Sequence, residues 1–204
     1  MDFLIARISK EMRAMFFKLF LVSMSLLLVS GKEADSFHSR LLQKAQELKK
    51  FAKLKGYNEQ LAFFIDMREG SGLARFVIYN LASSKIEKTG LVTHGRCNKL
   101  WLYGRSYSNK IGSGCTSLGI YKVGGSYQGK FGLAYKLHGL SATNNNAYAR
   151  YVVLHAMECV PEQPVHPKAI CQSDGCPAVS PLFMKGLHAR IQSEKKPPLL
   201  YIYQ

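Results

Sequence analysis

Acidic residues are scarce in this chain: 13 Asp and Glu stand against 28 Lys and Arg, a formal net charge of +15 over 204 residues. A protein so charged is drawn to anionic partners, and nucleic acid is the first to consider. The cations are scattered rather than striped, and no nucleic-acid motif is present, which weighs against that class. Internal repeats and low-complexity tracts are also missing, so neither a repeat array nor a biased tail organises the chain. The longest apolar run, 19–29, is too short to span a bilayer comfortably. What remains is globular in composition, 47% hydrophobic and 20% charged, and long enough for one well-cored domain plus a short appendage.

Arg7, Lys10, Arg13 and Lys18 flank the start of that apolar run, and Ser30 and Gly31 close it. A basic region, an apolar core and small residues at its end are what a signal peptidase reads. Residues 1–31 are expected to be a signal peptide cut before Lys32, with Met15 an alternative start and an uncleaved anchor the rival reading. No cysteine follows Gly31, which argues against a lipoprotein anchor. Removal takes away four basic and two acidic residues and leaves a net charge of about +13. The expected location is therefore outside the cytoplasm, in the periplasm or cell envelope.

Between 34 and 54 the apolar residues Phe37, Leu41, Leu42, Ala45, Leu48, Phe51 and Ala52 recur every three or four positions. This spacing predicts an amphipathic helix within an N-terminal segment, 32–56, with Gly56 as its stop. Its lysines would suit an anionic membrane or wall surface, though packing on the following domain is the favoured reading. After Gly56 the pattern changes to short apolar or alternating runs at 61–67, 73–79, 85–93, 118–122, 132–137, 148–155 and 199–203, separated by Gly, Asn and Ser. They predict a mostly β domain over 57–204 with flanking helices.

Five cysteines in an oxidising compartment leave one thiol over: Cys97, Cys115, Cys159, Cys171 and Cys176. Cys176 is the sensible free one. Cys97 with Cys115, and Cys159 with Cys171, are pairings the sequence allows but does not establish. His94, Cys97, His166 and Cys171 are zinc-ligand types, yet their spacing fits no finger or ribbon. No metal or cofactor is therefore expected.

The chemistry concentrates in Ser173-Asp174-Gly175-Cys176-Pro177-Ala178-Val179, read with His155 at the end of Tyr151-Val152-Val153-Leu154-His155. A thiol needs a base to become a nucleophile, and a histidine closing a β-branched run stands on a rigid platform. Glycine before the cysteine lets the backbone turn sharply and present N–H groups to an oxyanion. A buried thiol and a satisfied core histidine are the plainer reading of the same two residues.

His155, seventeen residues, then Ser173-x-Gly175-Cys176 resembles the signature of the L,D-transpeptidase (YkuD-type) catalytic domain. The following Pro177-Ala178-Val179 resembles its murein L,D-transpeptidase catalytic domain-like branch. Collinear blocks extend the likeness over about residues 57 to 182: Phe64-Ile65-Asp66-Met67, Phe76-Val77-Ile78-Tyr79-Asn80, Gly90-Leu91-Val92-Thr93-His94-Gly95, Thr116-Ser117-Leu118-Gly119-Ile120-Tyr121, Tyr127-Gln128-Gly129-Lys130 and Asn144-Asn145-Asn146-Ala147.

The resemblance implies a β-sandwich or barrel and a cysteine acyltransferase acting on peptidoglycan stem peptides at an L,D bond. Cys176 would be nucleophile and His155 base; backbone N–H groups of Cys176, Gly175 and Asp174 would hold the oxyanion, and the Ala156 carbonyl would orient the imidazole. Ser173, His94 and Arg150 are candidate substrate-side residues, although His94 suits a backbone-bonded strand end equally and Arg150 an internal ion pair. The outcome is transpeptidation to an amine or carboxypeptidation to water; a non-catalytic wall-binding protein of the same fold is the rival class. A monomer is expected. The chain departs from the pattern at Cys171-Gln172, where Gly-Arg is common, at Ala156, where glycine is usual, and at Pro177-Ala178, where the wider family places an arginine. These departures leave open how the substrate carboxylate is held.

Overall fold

The structure is a computed structural model that describes residues 36–204. The expected signal segment lies outside the described residues. The chain divides into two units, Met1–Arg40 and Leu41–Gln204. Of the first unit the described residues include only the opening turn of a helix; every strand belongs to the second.

Along the chain come α1 (Phe37–Lys55), β1 (Leu61–Asp66), β2 (Phe76–Asn80), β3 (Lys85–Gly90), β4 (Gly119–Gly129), β5 (Gly132–Gly139), β6 (Val153–Ala156), β7 (Ala178–Val179), α2 (Pro181–Gln192) and β8 (Leu199–Tyr203). The eight strands form one mixed sheet in the order β3-β2-β1-β8-β4-β5-β6-β7. β1 runs parallel to β8, and β6 to β7; all other neighbours are antiparallel. Among the described residues the fold is thus mostly sheet with two helices, built on a single sheet and not on two separate ones. Its outer ends are joined by irregular chain. Beyond β3, Thr93 donates its N–H to Ala178 O at 2.9 Å, and Ser173 donates to His94 O at 3.0 Å. These bonds bring the cysteine turn against the segment after β3.

β1 is buried at every position, which is why residues 61–65 read as a continuous apolar run and not as an alternation. Leu61, Phe63 and Ile65 face a core shared with Phe76, Tyr121, Leu137, Leu154 and Leu200, and with Phe183, Met184, Leu187 and Ile191 of α2. On the other face Phe64 meets Tyr79 edge-on at 5.7 Å, and Leu41, Ala45, Leu48 and Ala52 of α1 are buried. Burial of each large apolar side chain contributes roughly 1.5–3 kcal/mol. α2 is set by its own chemistry: Ser180 caps it by accepting the Phe183 N–H, and Pro181 occupies its first turn. Gly90 permits its approach, since a Cβ there would lie 2.5 Å from the Phe183 ring.

Two expectations are corrected. Residues 148–155 are not one strand; β6 begins only at Val153, because 142–151 form consecutive turns organised by Asn144. That fully buried side chain accepts from Ser141 N–H at 2.9 Å and donates to Ile120 O at 2.9 Å. β4 does not stop at Lys122 but continues to Gly129, its register shifting between Val123 and Ser126, where two glycines stand. α2 was not anticipated.

Among the described residues, no helix is long and apolar enough to cross a membrane.

Candidate active site

β6 places His155, and the segment entering β7 places Cys176 beside it. The register pairs His155 with Ala178, and the His155 N–H donates to Pro177 O at 3.4 Å. The cysteine turn is fastened at several points. Gly175, at φ +108°, takes a backbone geometry that favours glycine, and a Cβ there would also lie 2.7 Å from Cys115 O. Ser173 Oγ accepts the Gly175 N–H at 3.2 Å and donates to Cys176 O at 2.6 Å. Thr93 Oγ1 donates to the same carbonyl at 3.2 Å and accepts the Ala178 N–H at 3.0 Å.

Disulfides join Cys97 to Cys115 and Cys159 to Cys171, and Cys176 is the free cysteine. Both bridges tie down loops that flank the turn. They also consume Cys97 and Cys171, so the zinc reading has lost its two sulfur ligands. Among the described residues no group of three His, Cys, Asp or Glu could hold a metal.

Cys176 Sγ receives the Val153 N–H at 3.4 Å. Burial pushes its thiol pKa up, against the Val153 N–H and the Arg150 charge, which favour the thiolate. His155 is almost fully buried, and its pKa is pushed down by burial. Its Nδ1 lies 2.8 Å from Ala156 O. A carbonyl can only accept, so Nδ1 carries the proton and Nε2 keeps a free lone pair. The two shifts together favour a neutral thiol and a neutral imidazole at rest over a thiolate–imidazolium pair. No hydrogen bond joins the two side chains among the described residues.

The other candidates divide. The Gly175 N–H is occupied by Ser173, whereas no bond to the N–H of Asp174 or Cys176 is present among the described residues. The Asp174 carboxylate points away, pairing with Arg96 Nε at 2.7 Å on the surface. Arg150 lies behind the turn, donating to Ser108 O at 2.8 Å, Ser117 Oγ at 3.0 Å and Cys115 O. The carbonyl of His94 holds Ser173, but its imidazole Nδ1 faces Arg75 Nη2 at 3.2 Å, and its pKa is pushed down to about 4 by burial, then by the Arg75 and Arg105 charges. It lines a cavity of about 300 Å³, with Trp101, Arg105 and Gln172, whose lining includes neither Cys176 nor His155.

Sequence reasoning missed Phe131. At the tip of the β4–β5 hairpin, its half-exposed ring stacks on the His155 imidazole at 4.3 Å and 20° between planes. Nothing in a lone Phe before Gly132 signals this. Removing the ring hydrates the imidazole, so Phe131→Ala is expected to raise the His155 pKa back towards that of an exposed imidazole. An NMR titration of the imidazole checks it; a pKa that stays put or falls contradicts the shielding role.

In this mostly sheet domain, then, a free cysteine stands on a tight glycine turn, and the next strand over carries a histidine whose tautomer is fixed by the main chain. The family comes from comparison: the L,D-transpeptidase catalytic domain model matches residues 33–203, and the chain belongs to that family. No curated protein matches significantly. Similar solved structures include an L,D-transpeptidase from Xylanimonas cellulosilytica, 15% identical, covering 76% of this chain and 68% of that one at a TM-score of 0.42. Others are the helical cell shape determining protein Pgp2 of Campylobacter jejuni (12% identity, 71% and 47% coverage, TM-score 0.45) and an L,D-transpeptidase from Mycobacterium smegmatis (10%, 71% and 59%, 0.43). The chain spans about half the length of the Campylobacter protein. Likenesses this loose add nothing to the assignment, which rests on the family match.

Proposed function

We propose that this protein is a cysteine-dependent peptidoglycan L,D-transpeptidase, exported to the cell envelope, that acts on stem peptides through a thioester on Cys176. The observation that carries the reading is the single free thiol among five cysteines, seated on a fastened turn beside His155. His155 Nε2 takes the thiol proton as Sγ attacks the carbonyl of the L,D bond. The N–H groups of Cys176 and Asp174 stabilise the oxyanion, since that of Gly175 is engaged by Ser173. The imidazolium then gives its proton to the departing D-residue's amine, leaving the thioester. An acceptor amine, deprotonated by the same His155, displaces the sulfur and forms the crosslink; water in its place gives the carboxypeptidase outcome.

The test is mass spectrometry after exposure to a carbapenem, whose strained carbonyl stands in for the scissile one. The expected result is one acyl adduct, mapped to Cys176. An unmodified protein, or an adduct elsewhere, overturns the proposal.

A further inference from the structure

One face of the sheet carries more than the thiol and the base. Ala134 pairs with His155 and Lys136 with Val153 across β5 and β6, while Tyr127 pairs with Ala134 across β4 and β5. Directly paired residues project to the same face, and so do residues two apart on one strand. Tyr127, Lys136, Val153 and His155 therefore share a face. Val153 is also the residue whose N–H meets Cys176 Sγ at 3.4 Å.

Tyr127, Lys136, Tyr148, Tyr151, Val152 and Val153 line a pocket of about 110 Å³ on this face; Cys176 and His155 are outside its lining, and Val153 joins it to the thiol. Lys136 Nζ lies 5.7 Å from the centroid of the Tyr127 ring and 5.7 Å from that of Tyr148. Two aromatic faces hold the ammonium in place by cation–π attraction. Tyr148 is braced in turn by His138, stacked at 5.1 Å. No salt bridge to Lys136 is found among the described residues. An exposed ammonium, positioned but without an acidic partner, sits one strand from the thiol.

We propose that the tyrosine-walled pocket of Lys136 is the site for a substrate carboxylate, namely the free α-carboxylate of the D-residue just beyond the scissile carbonyl. This rests on the function proposed above. Paired strands stand about 4.5–5.5 Å apart at Cα, and the following residue of an extended peptide advances the chain by about 3.5 Å. A carbonyl at Cys176 Sγ thus leaves the next carboxylate within reach of the flexible lysine stem. Arg150, the alternative cation, has its guanidinium committed to the main chain and to serines. The pocket accordingly selects peptides that end in a free acid one residue past the cleaved bond.

The experiment compares kcat/KM for a stem tetrapeptide with a free C-terminal acid and for its C-terminal carboxamide. Wild-type protein, Lys136→Met and Lys136→Arg are measured alongside each other. Wild type is expected to prefer the acid by roughly ten- to a hundredfold, the size of a charge-assisted hydrogen bond. Lys136→Met brings the acid-to-amide ratio close to one, and Lys136→Arg restores most of it. A Lys136→Met protein that keeps the wild-type ratio overturns the inference. So does a wild type that acylates Cys176 but treats acid and amide alike, and the proposed function then stands. A wild type that acquires no acyl group from either peptide or from a carbapenem removes the proposed function, and this inference with it. Lys136 is exposed on a strand, so its replacement does not threaten folding. Were Lys136→Met nevertheless unfolded, the wild-type ratio and the Lys136→Arg ratio would decide.

Discussion

Cys176→Ala is expected to abolish both acyl-adduct formation and stem-peptide turnover, with the fold unchanged. The size of the loss reflects the cysteine inventory. Four sulfurs are held in the two disulfides, so no second thiol can substitute. The fold survives because the sulfur makes only two weak contacts, receiving the Val153 N–H at 3.4 Å and donating to Tyr151 O at 3.9 Å, and is partly exposed. The turn itself is held by Ser173, Thr93 and Gly175, none of which needs the thiol. His155→Ala is expected to slow acylation by at least about a hundredfold, the usual scale of a positioned general base. It should cost more here than at a site with a preformed ion pair, because burial disfavours the free thiolate and leaves the reaction dependent on a base. Adduct formation by Cys176→Ala, measured by intact-protein mass, would sink the assignment of the nucleophile; a His155→Ala rate within a few fold of wild type would sink that of the base.

How far these features could be read from the sequence depends on how local their physics is. The strands at 61–66, 76–80 and 199–203 were legible because buried β-branched and aromatic runs say strand by themselves. The far half of β4 is hidden in the sequence because Gly124 and Gly125 resemble a loop, and only the β5 partner shows that the ladder resumes at Ser126. At 148–152 the opposite holds: Tyr148, Tyr151 and Val152 have β character, yet Asn144 holds their stretch in turns through contacts with Ser141 and Ile120. α2 did carry a signal, with Ser180 before Pro181 and Phe183, Leu187 and Ile191 four apart. At the site, the positions of Cys176 and His155 were visible as a motif. Phe131 on His155 and Lys136 between two tyrosines were not, since both depend on cross-strand register.

Arg150 separates two roles that the sequence left open, and its replacement carries the second large effect. Its guanidinium donates to the carbonyls of Ser108 and Cys115 and to Ser117 Oγ. The Cys115 carbonyl is the atom against which Gly175 packs, so the arginine supports the cysteine turn through one intervening peptide. Arg150→Met keeps most of the stem's volume but leaves those acceptors unpaired, at about 1–3 kcal/mol for each one that water cannot reach. Part of the site is open to solvent, so a total of about 2–4 kcal/mol is expected, or a Tm lower by roughly 5–15 °C in a domain of this size. Loosening the turn misplaces the sulfur, and kcat should fall at least about tenfold. Loss of the nearby positive charge also raises the thiol pKa further, which slows alkylation of Cys176 at neutral pH. Arg150→Lys is expected to rescue little, because one ammonium cannot span acceptors arranged for a planar fork. If Arg150 instead held the substrate carboxylate, the pattern would differ: Arg150→Met would raise KM with Tm unchanged, and Arg150→Lys would recover much of the binding. Melting curves and the split between kcat and KM for these two variants therefore distinguish a support beneath the turn from a contact to the substrate.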